Sequence, residues 1–283
     1  MNFTKYEAAG NTYLIVNKDG EKLTPQTAGK FCDPVFGVGS DGIIGWESVA
    51  GNENSVRVTI FNPDGSMAEK SGNGLRILAT YLFNNVLPNA HSLKLFTLGG
   101  CVSATRLNTQ TEANFLHRDK TILLEMGKVV CQINGNSLDN SPNFPKGIEL
   151  ETEAGQIIGY PVSIGNPHFV SFIDQPTVDY AKKWGPHIEH HPHFLNRTNV
   201  QFAKVLNRET IHAEIWERGA GYTLSSGSSS CAIAATAYQL GLCDRDVTIS
   251  MPGGQLEVKL KPDGTVWLTG PVNKTVEGVF NLN

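Results

Sequence analysis

Ser71-Gly72-Asn73-Gly74-Leu75-Arg76-Ile77-Leu78-Ala79-Thr80-Tyr81-Leu82-Phe83 opens on a polar, glycine-rich turn and runs on into an apolar segment. Leu75, Leu78, Ala79 and Leu82 recur at i, i+3, i+4 and i+7, the period of one helix face, so the stretch from Gly74 to Phe83 reads as an amphipathic helix. A second segment repeats the arrangement. Ser226-Gly227-Ser228-Ser229 leads to Cys231, Ala234, Ala235 and Tyr238 at the same spacing, and Gly241 supplies a stop for a helix from about Ser229 to Leu240. The two Ser-Gly openings lie 155 residues apart, and Gly99-Gly100 is answered by Gly253-Gly254 at an offset of 154. Paired features at nearly one offset predict a duplicated unit, each copy with a polar loop leading into a helix. A pseudo-twofold axis relating the copies would bring the two helix N-termini face to face across a cleft.

Around these helices the pattern is mostly strand-like. Short runs rich in β-formers span Val56 to Phe61, Thr121 to Met126, Phe169 to Ile173, Asn199 to Val205, Leu256 to Lys261 and Val266 to Thr269. Ile211, Ala213 and Ile215 alternate with His212, Glu214 and Trp216, the period of a half-buried strand. Many strands with a few embedded helices predict an α+β protein and not a regular βαβ winding. At 283 residues, 40% hydrophobic and 18% charged, the chain is long enough for two domains of roughly 130 residues.

A formal charge of −4, with no local Lys/Arg cluster, provides no basic field for a phosphate backbone and argues against nucleic acid as a partner. Lys5 and Glu7 interrupt the start, and no apolar run approaches bilayer length, so no membrane association is predicted and the expected location is the cytoplasm. Cys32, Cys101, Cys131, Cys231 and Cys243 are odd in number and lack CxxC spacing, which suits reduced thiols, most of them in the core. Cys231 sits at an apolar helical position and reads as core, not as a nucleophile. His187, His190, His191 and His193 are close enough in sequence to suggest a metal site, but Gly185-Pro186 and Pro192 around them favour a solvated turn.

A glycine-rich turn at a helix start presents unpaired amide N–H groups beside the positive end of the helix dipole, which suits an anion. Taken singly, Ser71-Gly72-Asn73-Gly74 and Ser226-Gly227-Ser228-Ser229 are explained as simple caps. Taken together, with a hydroxyl at the same place in each, they suggest a symmetric site that approaches one carbon from two sides.

Asn62-Pro63-Asp64-Gly65-Ser66, followed by Glu69-Lys70-Ser71-Gly72-Asn73-Gly74, resembles the first active-site signature of the diaminopimelate epimerases, in which cysteine takes the place of Ser71. Glu217-Arg218-Gly219-Ala220-Gly221-Tyr222-Thr223-Leu224-Ser225-Ser226-Gly227 resembles the second, again with cysteine expected where Ser226 stands. Gly10-Asn11, Phe36-Gly37-Val38-Gly39-Ser40-Asp41-Gly42, Gly165-Asn166-Pro167-His168, Thr198-Asn199-Val200 and Pro252-Gly253-Gly254 extend the resemblance over nearly the whole chain. It implies two domains, residues 1–125 with 271–283 and residues 126–270, each a β-barrel-like sheet around a central helix, with the substrate enclosed between them. It also implies inversion of an amino-acid α-carbon by two opposed thiols, without pyridoxal phosphate or metal; a homodimer is among the expected assemblies. Thiols suit this work because each serves as acid or base near neutral pH, and a helix N-terminus favours the thiolate. On the same resemblance the amides of Gly72, Asn73, Gly227 and Ser228 bind the α-carboxylate. His168 is expected beside Ser71 and Glu217 beside Ser226, and Asn11, Asn62, Asn166, Asn199 and Arg218 grip the substrate's polar groups.

The departures shape the functional expectation. Serine is nearly isosteric with cysteine but a far weaker acid, so fold and binding should survive while turnover is nearly lost. Three accounts remain: substitutions that trap a substrate complex, a non-catalytic amino-acid-binding relative, or an enzyme that uses His168 and Glu217 directly. Tyr222, where the family commonly has glutamate, and Thr12-Tyr13, where an acidic-aromatic pair is usual, leave open another amino acid such as histidine as substrate.

Overall fold

The computed structural model describes residues 1–18, 23–107, 122–133, 137–139 and 147–281. The chain divides into two compact units, Met1–Glu125 with Thr269–Asn283 and Met126–Leu268. Each is a strongly bent sheet with one helix held inside it and one packed outside, a two-domain α+β architecture.

In the first unit, Asn2–Ala8 pairs antiparallel with both Asn11–Asn17 and Asn273–Val279. Asn11–Asn17 then pairs parallel with Ile43–Val49, which turns back antiparallel into Asn52–Phe61. A second parallel step joins Asn52–Phe61 to Ser92–Thr97, the first arm of a hairpin with Gly100–Arg106. Parallel neighbours need a crossover, and each parallel step here contains a helix: α1 (Pro25–Cys32) in the first and α2 (Gly72–Asn85) in the second.

The second unit repeats this order strand for strand. Gly155–Ser163 pairs antiparallel with Pro167–Phe172, which is parallel to Asn199–Asn207, which turns back into Thr210–Glu217. Thr210–Glu217 is parallel to Asp246–Met251, the first arm of a hairpin with Gly254–Leu260. Helices α3 (Val178–Glu189) and α4 (Gly227–Gln239) fill the two crossovers.

The echo of glycine pairs has a structural cause. Gly99 N–H donates to the Glu69 carbonyl and Gly253 N–H to the Leu224 carbonyl, both at 2.8 Å. Each bond ties a hairpin turn to the residue two before the serine that opens the inner helix. The second glycine of each pair has positive φ, 107° at Gly100 and 140° at Gly254, a conformation that a side chain would disfavour.

Helices α2 and α4 lie where the expected helices fall, but they are not amphipathic. Every residue from Gly72 to Thr80 and from Gly227 to Ala237 is buried, because the sheet wraps them on several sides. The small Gly, Ser, Ala and Cys side chains of α4 let the strands close around it. Of the cysteines, Cys32, Cys231 and Cys243 are core residues and Cys101 is exposed; the Cys131 side chain lies outside the described residues.

Two helices have no counterpart among the expected elements. In α1 the capping box of Thr24 and Thr27 and Pro25 in the first turn start the helix. Ala28 and Phe31 then pack against Leu14, Val16 and Ile43 on the outer side of the sheet. Helix α3 is capped by Thr177 and buries Ala181, Trp184 and Ile188 against Phe169, Val200 and Phe202, and it continues through Pro186. The segment expected as a solvated turn is therefore helical as far as Glu189. Two of the histidines there meet backbone carbonyls: His190 Nδ1 lies 3.0 Å from the Pro186 carbonyl and His191 Nε2 3.1 Å from the Glu151 carbonyl.

Gly37 shows how tightly the outer helix is held. A β-carbon there would fall 2.1 Å from the Lys30 carbonyl oxygen and 2.7 Å from those of Phe31 and Asp33. Because backbone oxygens of α1 cannot step aside, Gly37→Ala is expected to lose roughly 1–3 kcal/mol of stability, read as a lower urea midpoint at unchanged slope.

Candidate active site

In the first unit the site residues gather at the N-terminus of α2. Ser71 is its N-cap, with extended backbone, and accepts the Gly74 N–H at 3.1 Å. Position 74 must be small, since a β-carbon would meet Ile44 Cδ1 at 2.9 Å and Ser71 Oγ at 3.2 Å. The Tyr13 hydroxyl lies 3.0 Å from Ser71 Oγ. Asn73 donates through Nδ2 to Asn11 Oδ1 at 2.6 Å and accepts from the buried Arg76 guanidinium through Oδ1 at 2.8 Å. The cation fixes which way the Asn73 amide points, and through it the amide of Asn11. Asn62 closes a turn, with its backbone N–H on the Ser66 carbonyl and its Nδ2 on Ser66 Oγ.

In the second unit Ser226 is the N-cap of α4, with the Ser229 N–H 3.4 Å from its Oγ. Its hydroxyl donates to Glu217 Oε2 at 2.9 Å, which joins two of the sequence-predicted residues directly. A longer chain of contacts runs from Ser226 to Ser228 at 3.5 Å and from Asn166 Nδ2 to Ser228 Oγ at 3.4 Å. Asn166 Oδ1 then meets His168 Nε2 at 3.1 Å, and His168 Nδ1 meets Gln201 Nε2 at 2.9 Å. With the Gln201 amide donating to Nδ1, the His168 proton sits on Nε2 and is donated to Asn166, which leaves the Asn166 amide to donate onward to Ser228. His168 is fully buried, and burial, with the Arg218 charge as a second cause, pushes its pKa down to about 3.

Asn199 and Arg218 are coupled through the backbone. Asn199 Oδ1 accepts the Arg218 N–H at 3.0 Å while its Nδ2 donates to the Pro167 carbonyl at 2.8 Å, so this amide holds the loop carrying Arg218. The guanidinium itself donates to the Asn196 carbonyl at 3.1 Å. Behind this loop the buried Glu189 carboxylate accepts from Gly219 N–H at 2.9 Å, Trp216 Nε1 at 2.7 Å and Arg197 at 3.1 Å. Gly72, Asn73, Gly227 and Ser228 are the first two residues of their helices, where a backbone N–H has no intrahelical acceptor.

Sequence reasoning did not single out Gln201, Ser229 or Glu189, and it noted Tyr13 only as a departure. The 155-residue offset, carried beyond the serines, was the usable signal. It pairs Gly10-Asn11 with Gly165-Asn166, Tyr13 with His168 and Asn62 with Glu217. Gly10 and Gly165 both have positive φ, 85° and 98°, so each asparagine follows the same kind of turn. Among the described residues no group of three or more His, Cys, Asp or Glu is placed to hold a metal ion, and no helix is long and apolar enough to cross a membrane.

The family model for diaminopimelate epimerase matches residues 3–131 and 160–275. The chain belongs to the diaminopimelate epimerase family. It is 42% identical over 280 residues to diaminopimelate epimerase 2 of Nostoc sp., covering 98% of this chain and 95% of that protein. It is 34% identical to the diaminopimelate epimerase of Moorella thermoacetica, with full coverage of both. Membership places it among the isomerases, as an amino-acid racemase or epimerase. Solved structures share the fold at low identity. A probable proline racemase of Agrobacterium radiobacter matches at TM-score 0.73 and 13% identity, covering 100% of this chain and 93% of that one. A hydroxyproline epimerase of Agrobacterium vitis matches at TM-score 0.70 and 14% identity, covering 98% and 91%.

The depressed pKa of His168 gives a prediction with a defined sign. The unfolded histidine takes up a proton near pH 6.5 and the folded one only near pH 3, so the neutral ring supports stability above pH 6.5 and that support is lost as pH falls toward 3. In an NMR titration the His168 ring signals are expected to hold their neutral positions from about pH 8 to about pH 5, while an exposed histidine titrates midway.

Proposed function

We propose that this chain binds diaminopimelate or a close relative and inverts its α-carbon by a two-base mechanism, with Ser71 and Ser226 at the two proton-carrying positions and no pyridoxal phosphate or metal. The observation that supports this best is the matched pair of helix ends. Each serine caps a buried helix, and each has a second oxygen acid or base at hydrogen-bonding distance, Tyr13 at 3.0 Å and Glu217 at 2.9 Å. The names of the relatives supply the substrate class.

In this reading the first-turn amides of α2 and α4 bind the α-carboxylate and stabilise the charge that builds up as the α-proton leaves. Asn11 and Asn166 contribute amide groups from matching turns, and Asn62 with Arg218 grips the distal end. Arg218 suits a second carboxylate through its planar fork. A hydroxyl is a poor acid and base beside a thiol, so the chain as written turns over slowly or not at all.

Replacing both Ser71 and Ser226 by cysteine is expected to create or restore racemisation, and either single replacement to restore much less of it, because inversion needs an acid and a base on opposite faces. Circular dichroism of the amino acid and deuterium incorporation, measured in parallel without added pyridoxal phosphate, separate inversion from simple exchange. A double-cysteine protein that binds the amino acid and shows neither signal would leave only a binding protein.

Arg218→Lys keeps the charge and loses the two-point grip. Affinity for a dicarboxylic ligand is expected to fall by roughly 1.5–3 kcal/mol in titration calorimetry, and affinity for histidine by much less. Equal losses for both would make Arg218 a structural residue.

A further inference from the structure

We propose that Tyr13 is the proton reservoir behind Ser71, so that the Ser/Ser site keeps a slow inversion route of its own: Glu217 drains a proton through Ser226, and Tyr13 supplies one through Ser71. The proposal rests on the two-base reading above and assigns a role to a residue outside the expected site.

The geometry on the first unit is a two-hydroxyl relay. Ser71 Oγ accepts the Gly74 N–H at 3.1 Å and stands 3.0 Å from the Tyr13 hydroxyl. Either hydroxyl can be the donor in the Tyr13–Ser71 contact; in the relay the phenol donates, and the Ser71 proton then points away from both Tyr13 and the Gly74 amide. On the second unit the direction is fixed, because Ser226 donates to a carboxylate. One serine is thus backed by an acid and the other by a base. In the duplicated framework Tyr13 stands 155 residues before His168, in the same place after the same Gly-Asn turn. His168 is occupied at both ring nitrogens by Asn166 and Gln201, which leaves the phenol as the hydroxyl-linked member of that pair.

The step balances without any redox partner. The α-C–H bond breaks and its proton passes to Ser226 Oγ, whose own proton moves to the Glu217 carboxylate, while the electron pair stays on the α-carbon and its carboxylate. The Ser71 hydroxyl proton forms the new C–H bond from the other face, and the Tyr13 proton replaces it on Ser71 Oγ. The charge left behind rests on a phenolate, whose parent acid has an ordinary pKa of about 10, and not on an alkoxide. Solvent then restores Glu217 to carboxylate and Tyr13 to phenol.

The test uses the Ser/Ser protein as it stands, incubated with diaminopimelate in heavy water, with configuration and deuterium content of the amino acid followed over days. Slow appearance of inverted, deuterated product is expected. Tyr13→Phe should lower that rate on the order of 100-fold while calorimetric binding of the amino acid stays unchanged. Tyr13→3-fluorotyrosine, a more acidic phenol, should keep the activity and move the alkaline limb of the pH profile to lower pH, a shift that a packing role would not produce. In the double-cysteine protein Tyr13→Phe should matter little. No inversion by the Ser/Ser protein, an unchanged rate in Tyr13→Phe, or a parallel loss of binding would each overturn the relay. The wider two-base reading would fail separately, through a double-cysteine protein that does not racemise.

Discussion

A helix buried on every side can direct its first-turn amides only to its own cap or to something bound at its end, and that constraint organises this protein twice. Helices α2 and α4 are enclosed from their first residue. In each the serine cap takes the amide of the third residue after the cap, Gly74 or Ser229, and the two preceding amides have no acceptor within the helix. Around each end the loops are fixed from outside by bonds that do not involve the helix: Gly99 on Glu69 and Gly253 on Leu224 at the hairpin turns. The polar end of each helix is therefore preorganised before any ligand arrives, which is what electrostatic catalysis requires.

The duplicated framework carries unlike chemistry in its two copies. In the first unit a buried cation, Arg76, anchors the Asn73 and Asn11 amides. At the matching place in α4 stands the uncharged Cys231, fully buried. There the amide of Asn166 is oriented by a neutral histidine instead, itself held by Gln201. Both devices solve the same problem, which is to point an asparagine amide in one direction, and both need full burial of the group that does it. A guanidinium remains charged when buried, whereas an imidazole gives up its proton, and the depressed pKa of His168 reflects that difference.

Much of this was legible in the sequence, because the signals were local. The serine-glycine openings, the strand runs and the glycine pairs at one offset each depend on a few adjacent residues, and each lies where the fold needs it. What could not be read depends on tertiary contact. Helix α1 contains Thr27 and Gly29, and α3 contains Gly185 and Pro186, so propensity argued against both; packing of Phe31 and of Trp184 and Ile188 on the outer sheet faces decides them. The amphipathic reading of α2 and α4 missed the burial of their first turns on every face, since Arg76 and Ser230 look like solvent-facing residues until the sheet is seen to close over them. Glu189 was hidden for the same reason. Nothing in its neighbourhood along the chain indicates that it accepts from Trp216 and Gly219, residues 27 and 30 positions away, and so positions the loop that bears Glu217 and Arg218.

The serine positions show why stability and reactivity pull apart at such a site. A hydroxyl is among the best N-cap acceptors, whereas sulfur is a weak one, so each serine suits the end of its buried helix better than cysteine does. The thiol has the opposite merits, capping weakly but ionising within reach of neutral pH, all the more so at a helix N-terminus. A chain with serine at both places therefore has the better-capped form of the fold and the poorer form of the chemistry. On the proposed two-base reading, the acid and the base that stand against the two caps are Tyr13 and Glu217.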